Sequence, residues 1–390
     1  MDERLPDPQL FRQGGFRLAA KLFGPSDDLR ATAEQVRQFR EYAKAEDPLA
    51  DALVASMPAT RPAFEEALTK GIDHMAEPPA EVRDFFGAVD ATPYWLDHDR
   101  LERGARAITR TGLLGLFPLG DMSLMGGYLA SRATKSLVAT GEIEHMAGRR
   151  LIETAAWWID VTTPGNLRRG RSGYASALRV RLVHAHVRAA MNRRRDWDYE
   201  AWDRPVNQVQ TAGTLLLFSL VFVVGTQLLG IRYTDRERAD ILHLWRYVGW
   251  LMGVDEGLLP AGENDAWRLL WLLATTEFIP DEDSKRLAKA LRDTHESGPI
   301  GKALGRVHSS ISRLVLGKAN ADFLGLPNDL LTQGAVLTAA AVNFAAETAR
   351  RRIPGATTLQ ELIGTLERRH YVDRLGKIVR LDPTYSRHLL

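Results

Sequence analysis

The chain has 390 residues, no cysteine, and 51 Lys+Arg against 49 Asp+Glu, a formal net charge of +2. The missing cysteine excludes disulfides, iron–sulfur clusters, thioether-linked haem, cysteine zinc sites and thiol nucleophiles. Near-neutral charge excludes a general nucleic-acid footprint, and 45% hydrophobic residues are too many for disorder and enough for one large domain or two ordinary ones.

The first eight residues, MDERLPDP, carry no basic n-region, apolar run or twin arginine. The expected localisation is therefore cytoplasmic, with a mature secreted chain trimmed of its leader as the alternative. A helix is predicted over 29–45, with Ala33, Val36, Phe39 and Ala43 on one side. Two more follow at 49–56 and 62–75, with Pro62 as a first-turn proline. Thr92 to Asp97 reads as a turn into a helix over 99–111. Gly112, Gly115, Pro118 and Gly120 interrupt it, and a small, apolar run spans 122–139. A helix over 148–162 ends at Thr163-Pro164-Gly165. Residues 168–173 form a basic, glycine-spaced loop before a strong helix over 174–191, and 193–203 is an exposed connection.

No charged residue lies between Arg204 and Arg232. The strictly apolar part of this stretch is about half of the ~20 residues a membrane span wants, so it is read as a buried central helix over 206–229 rather than a span. Thr234 with Glu237 forms a capping box for a helix to about 254. Helices over 264–276, 280–296, 300–316, 330–351 and 358–370 complete the chain. No alternating strand pattern and no phosphate-binding glycine motif survives inspection. The fold class is all-α: a single large helical domain over 46–390, preceded by an N-terminal helical extension over 1–45.

Histidine is the main candidate ligand. On the 174–191 helix, His184 shares a face with Val180, Val183, Val187 and Met191, while His186 points about 200° away. Arg181 and Arg188 lie on the His184 side. Such a histidine is either a satisfied core residue or an axial haem ligand with the arginines toward propionates or other anions. Arg150, Glu153 and Thr154 share one face of a broadly apolar helix, either as a surface ion pair or as a polar pocket lining. Thr211, Thr214 and Ser219 on the apolar helix either bond their own i−4 carbonyls or face a cavity. Two Glu-x-x-His sequences, at Glu142/His145 and Glu367/His370, fall short of the four-helix carboxylate set of a di-iron bundle. No nucleophile elbow is present.

These segments resemble the rubber oxygenases, or latex clearing proteins, and their wider DUF2236 or MpaB-type oxygenase superfamily. The resemblance runs through Asp47-Pro48-Leu49-Ala50-Asp51, Pro93-Tyr94-Trp95-Leu96-Asp97, Arg150-Leu151-Ile152-Glu153-Thr154 and Asp160-Val161-Thr162-Thr163-Pro164-Gly165. It continues through His243 to Gly253 and Leu314 to Gly317. Its most specific part is Arg179-Val180-Arg181-Leu182-Val183-His184-Ala185-His186-Val187-Arg188. The resemblance implies a globin-like helical core around non-covalent haem b, with His184 as the iron ligand and O2 as co-substrate. Arg181 and Arg188 would neutralise propionates or lock the helix. Arg150, Glu153, Thr154 and Thr214 would line the distal side.

Two distal groups depart from the family pattern. Glu153 stands where rubber oxygenases carry lysine. The family's distal glutamate falls near Thr134, and no Glu lies between Glu102 and Glu142. Either Glu153 takes over as base, or the substrate differs. The expected function is a haem b oxygenase acting on a hydrophobic small molecule or polymer, isoprenoid or alkene, by oxidative C=C cleavage. The alternatives are a different small-molecule oxidation and a non-catalytic haem- or lipid-binding protein. The expected oligomeric state is a monomer or a weak homo-oligomer.

Overall fold

A computed structural model describes residues 3–139, 143–294 and 298–379. Among them there is no strand, only one isolated β-bridge between Arg4 and Thr32. The all-α expectation holds.

The N-terminal extension holds two short helices, α1 (Gln9–Arg12) and α2 (Gly14–Phe23), then α3 (Ala33–Glu41). Phe11 and Phe16 meet edge-on, and both lie against Trp267, at 6.4 and 6.1 Å between ring centroids. The extension is thereby seated in the main core. Thr32 and Gln35 close a capping box, which starts α3 later than residue 29.

Residues 48–70 form one helix, α4 (Pro48–Lys70), where the prolines suggested two. Pro58 and Pro62 lie inside it. An interior proline costs about 3 kcal/mol. Burial of Leu53, Met57, Phe64 and Leu68 against α5 (Ala80–Asp90) offsets that cost. Phe64, Phe85 and Phe86 form a mutual ring cluster with centroids 5.5 to 6.2 Å apart. Asp97 caps α6 (His98–Thr109) by accepting the Asp99 and Arg100 N–H groups.

The glycine- and proline-interrupted stretch is a run of single turns. It passes through a 3-10 turn (Gly112–Gly115), α7 (Leu116–Pro118), a π turn (Leu119–Leu124) and α8 (Met125–Gly127), then α9 (Ser131–Ala139). Long helices follow: α10 (Ile143–Val161) and α11 (Ser172–Asn192), then the single turn α12 (Tyr199–Trp202).

The apolar stretch is two helices, α13 (Gln208–Phe218) and α14 (Leu220–Leu228), broken at Ser219 (φ −106°, ψ −85°). By length and composition, 208–228 could cross a membrane, with mean hydropathy 1.8, yet 72% of it is buried inside the protein. Trp157, Trp158, Phe218, Phe222 and Trp245 pack ring on ring around it. The remaining helices are α15 (Asp235–Leu251), α16 (Glu263–Thr276), α17 (Glu282–Asp293), α18 (Gly298–Phe323), α19 (Leu330–Arg350) and α20 (Ala356–Val379). The capping box expected at Thr234 and Glu237 is present. Helix α18 runs past the expected end at 316 and bends at Gly317 (φ 80°), where Gly14 approaches backbone to backbone.

Helices α6 and α15 cross closely at Gly104. A Cβ there would sit 2.4 Å from the Asp240 carbonyl oxygen, so only glycine fits. Asp240 accepts from Arg100 Nε (2.9 Å) and Arg103 Nε (2.7 Å). One turn on, His243 Nε2 accepts the Asp97 N–H at 3.1 Å, which requires a neutral imidazole. Burial, with Arg100 nearby, pushes the His243 pKa from 6.5 down to about 4. The unfolded chain takes up this proton below pH 6.5 and the folded chain resists it until about 4. Stability is therefore lost as pH falls through that window, by up to about 3 kcal/mol. Thermal unfolding at steps from pH 7 to 4.5 should show the loss, and His243→Gln should reduce it, leaving the part that His184, with the same depressed pKa, contributes.

Candidate functional site

Helix α11 divides its chemistry between two sides. Arg181 and Arg188 are buried and committed to α4. Arg181 donates to Asp47 through Nε (2.6 Å) and Nη2 (2.9 Å), and its guanidinium lies 4.8 Å over the Phe85 ring. Asp47 also caps α4 by accepting the Ala50 N–H at 3.3 Å. Arg188 donates to Asp51 (2.7 Å) and to the Val206 carbonyl (2.9 Å). Of the two roles expected for these arginines, the geometry is that of locking the helix. Arg188 Nη2 is buried without a hydrogen bond, although it lies 2.7 Å from Asp51 Oδ1 as an ion pair. His186 Nδ1 bonds the Leu182 carbonyl at 2.9 Å, a local partner one turn back.

The other side of α11 is open. Val180, Val183, His184 and Val187 keep accessible surface, while Leu178, Leu182 and Ala185 have almost none. His184 forms no hydrogen bond among the described residues. Burial, with Arg188 nearby, pushes its pKa from 6.5 down to about 4. The ring is enclosed by protein yet keeps some accessible surface. Helix α13 shows the same split. Thr211, Leu217 and Phe218 are partly accessible and Thr214 is exposed, whereas Val209, Ala212 and Leu216 are buried. The Arg188–Val206 bond ties α11 to the start of α13. Trp157 of α10 meets Phe218 at its far end, at 5.9 Å between centroids.

Helix α10 carries the expected distal group. Arg150 and Thr154 are partly accessible. Arg150 acts electrostatically on the Tyr128 phenol, which burial pushes above its usual range. Glu153 is buried and accepts from Arg149 Nε at 2.7 Å. The Thr154 hydroxyl forms no hydrogen bond among the described residues. That sets it apart from Thr162, Thr211, Thr214 and Thr226, which all bond an i−4 carbonyl. Thr134, at the family's glutamate position, is buried and bonds the Ser131 carbonyl at 2.9 Å.

One titratable pair was not anticipated. Asp121, inside the π turn, bonds His308 Nδ1 at 2.8 Å, and burial pushes its pKa up to about 6. The residues are 187 positions apart, so no local spacing could have revealed the pair. Glycine and proline around Asp121 were the only signal of unusual backbone, and π turns gather at functional sites. Among the described residues no group of three metal-ligating side chains exists. Glu142 lies outside the described residues, and Glu367 accepts the Leu113 N–H at 3.1 Å. The basic 168–173 loop lies away from His184. It lines an open polar cleft of about 660 Å³ with Arg103, Arg106, Arg168 and Arg171.

Comparison with known proteins places the chain in a family and a fold. Residues 109–347 match the family described as ER-bound oxygenase mpaB/B'/rubber oxygenase, catalytic domain. The chain belongs to this family. The match takes in Asp121, α10, α11 and α13. A rubber oxygenase of Streptomyces sp. (strain K30) is 22% identical over 187 residues, 47% of this chain and 45% of that protein. The chain thus matches less than half the length of that relative. The solved structure of latex clearing protein in the closed state has a TM-score of 0.63 and 21% identity, covering 85% of this chain and 91% of that one. This likeness is one of fold, and it shows the helical architecture expected from the resemblance.

Asp47 is the test of how α11 is held. Asp47→Ala strands a buried guanidinium and should cost about 3–5 kcal/mol, read as a lower urea midpoint. The paired apolar change Asp47→Leu with Arg181→Met should recover much of that loss.

Proposed function

We propose that the protein is a haem b-dependent oxygenase acting on a hydrophobic isoprenoid or alkene substrate. The observation that carries this reading is His184: an interior imidazole with no hydrogen-bond partner among the described residues, on an open row of apolar side chains. A buried polar ring left without a partner suits a ligand better than a packing role. The donor set fits haem, since His184 would hold the iron and no cysteine is needed. When bound, haem supplies the binding and activation of O2.

The chain's own residues do the rest. The forks on Asp47 and Asp51 fix α11 and so aim His184. Val180, Val183, Val187, Leu217 and Phe218 exclude water and favour an apolar substrate. Arg150 and Thr154 offer hydrogen-bond donors to developing negative charge. We assign to Glu153 the part of proton acceptor, in place of the distal glutamate that Thr134 does not supply. Family membership supports the oxygenase class. The substrate rests on the apolar lining alone.

Hemin titrated into the purified protein should give a Soret band that shifts with dithionite. His184→Ala should abolish the band while leaving the helical circular-dichroism spectrum intact. Loaded protein should consume O2 with polyisoprene latex or a small alkene. Glu153→Gln should lower turnover by about 10²–10⁴ with haem uptake unchanged. A haem protein that consumes no O2 across such substrates would instead be a binding protein. The loss of the family's distal lysine and glutamate is the feature that favours that second reading.

A further inference from the structure

Helix α19 is anchored along one row only. Asn343 Nδ2 donates to the Leu229 carbonyl (3.0 Å), and Glu347 accepts from Arg232 N–H (3.2 Å) and Gln360 (2.8 Å). Gly230 brings its backbone against Ala340. The outer rows of α19 contact nothing that buries them. From residue 330 to 346 there is no charged residue, yet Leu330 and Leu331 are 73% and 85% exposed, and Leu337, Val342 and Phe344 more than half. A solvated helix face is normally charged. Helix α20 repeats the anomaly, with Leu359, Leu362, Ile363 and Leu366 forming an outward stripe at helical spacing.

The exposed side chains of α19 equal about three fully exposed large apolar residues, on the order of 500 Å², and Ile353 with the α20 stripe, joined to α19 through the 351–355 turn, adds nearly as much again. The largest apolar patch of a typical monomer is roughly 300–600 Å². One partner of a stable dimer contributes about 800 Å². The free charges stand at the ends of α19: Asp329 before its first residue, and the exposed Arg351 and Arg352 past its last, Arg350 being held by Glu347 and Thr357. Paired antiparallel with a copy of itself, each acidic end meets a basic end, and the uncharged middle meets itself. Gly334, Ala335, Thr338, Ala341 and Ala345 are small enough to let the two helices approach closely.

We propose that the outer faces of α19 and α20 form a two-fold interface between two copies of this chain, with α19 crossing its partner's α19 antiparallel. A two-fold axis requires such self-complementarity. A lipid surface fits less well. Interfacial helices carry Lys and Arg along a polar face beside large apolar anchors, whereas α19 has no charged residue from 330 to 346 and its cations sit at one end.

The absence of native cysteine makes the test clean. Sedimentation velocity should show a dimer at micromolar concentration. Leu337→Glu with Val342→Glu should weaken it at least about hundredfold without lowering the thermal midpoint, because both positions are exposed. Ala341→Cys should form an intermolecular disulfide in high yield under mild oxidation. Leu331→Cys should not, because antiparallel packing puts its copies about 30 Å apart. A wild-type monomer at every concentration overturns the proposal. So does disulfide formation by Leu331→Cys alone. So does a monomer that floats with phosphatidylcholine–phosphatidylglycerol vesicles, which would mark the face as a lipid-docking surface.

Discussion

The fork between Arg181 and Asp47 is the constraint on which the site depends. Asp47 does two things at once: it caps α4 and receives the Arg181 guanidinium through two bonds. One turn along α4 and two along α11, Arg188 donates Nε to Asp51 in a second, part-buried tie. Two charged ties, spaced as helical neighbours on both elements, fix the rotation of α11 as well as its position. Buried ion pairs add little net stability over apolar packing. Their value is directional, since an apolar contact tolerates a turn of the helix about its axis and a forked pair does not. Rotation is what decides whether His184 faces the open side of α11 or the core.

Apolar side chains surround His184 on its own helix: Val180 and Val187 lie one turn away on either side and Val183 is its neighbour. The rings of Trp157, Trp158 and Trp245 form a stiff cluster. In such surroundings the imidazole stays neutral to about pH 4, the form that ligates metal. Thr154 adds a hydroxyl with no bond to its own helix among the described residues. The same apolar economy that makes the interior dry leaves α19 and α20 with outward faces that water solvates poorly.

Much of the fold was legible because helical periodicity is local. The helices carrying His184 and Arg150, the capping box at Thr234 and the all-α class follow from spacing and caps that act within a few residues. The misreadings have tertiary causes. Pro58 and Pro62 argued for two helices, but burial of the face carrying Leu53, Met57 and Phe64 carries α4 through both. The apolar stretch read as one helix, but Ser219 breaks it.

The sequence by itself determined the helices and the absence of thiol chemistry, and its resemblance singled out His184 on α11 as the candidate ligand. Those properties reside in residue type and short-range order. Only the tertiary structure decided what each arginine does. It spent Arg181 and Arg188 on aspartates more than 130 positions away, and it joined Asp121 to His308. It also left His184 without a hydrogen-bond partner among the described residues. Partners of that kind are set by how helices dock, and docking depends on the summed shape and burial of many side chains rather than on any local pattern.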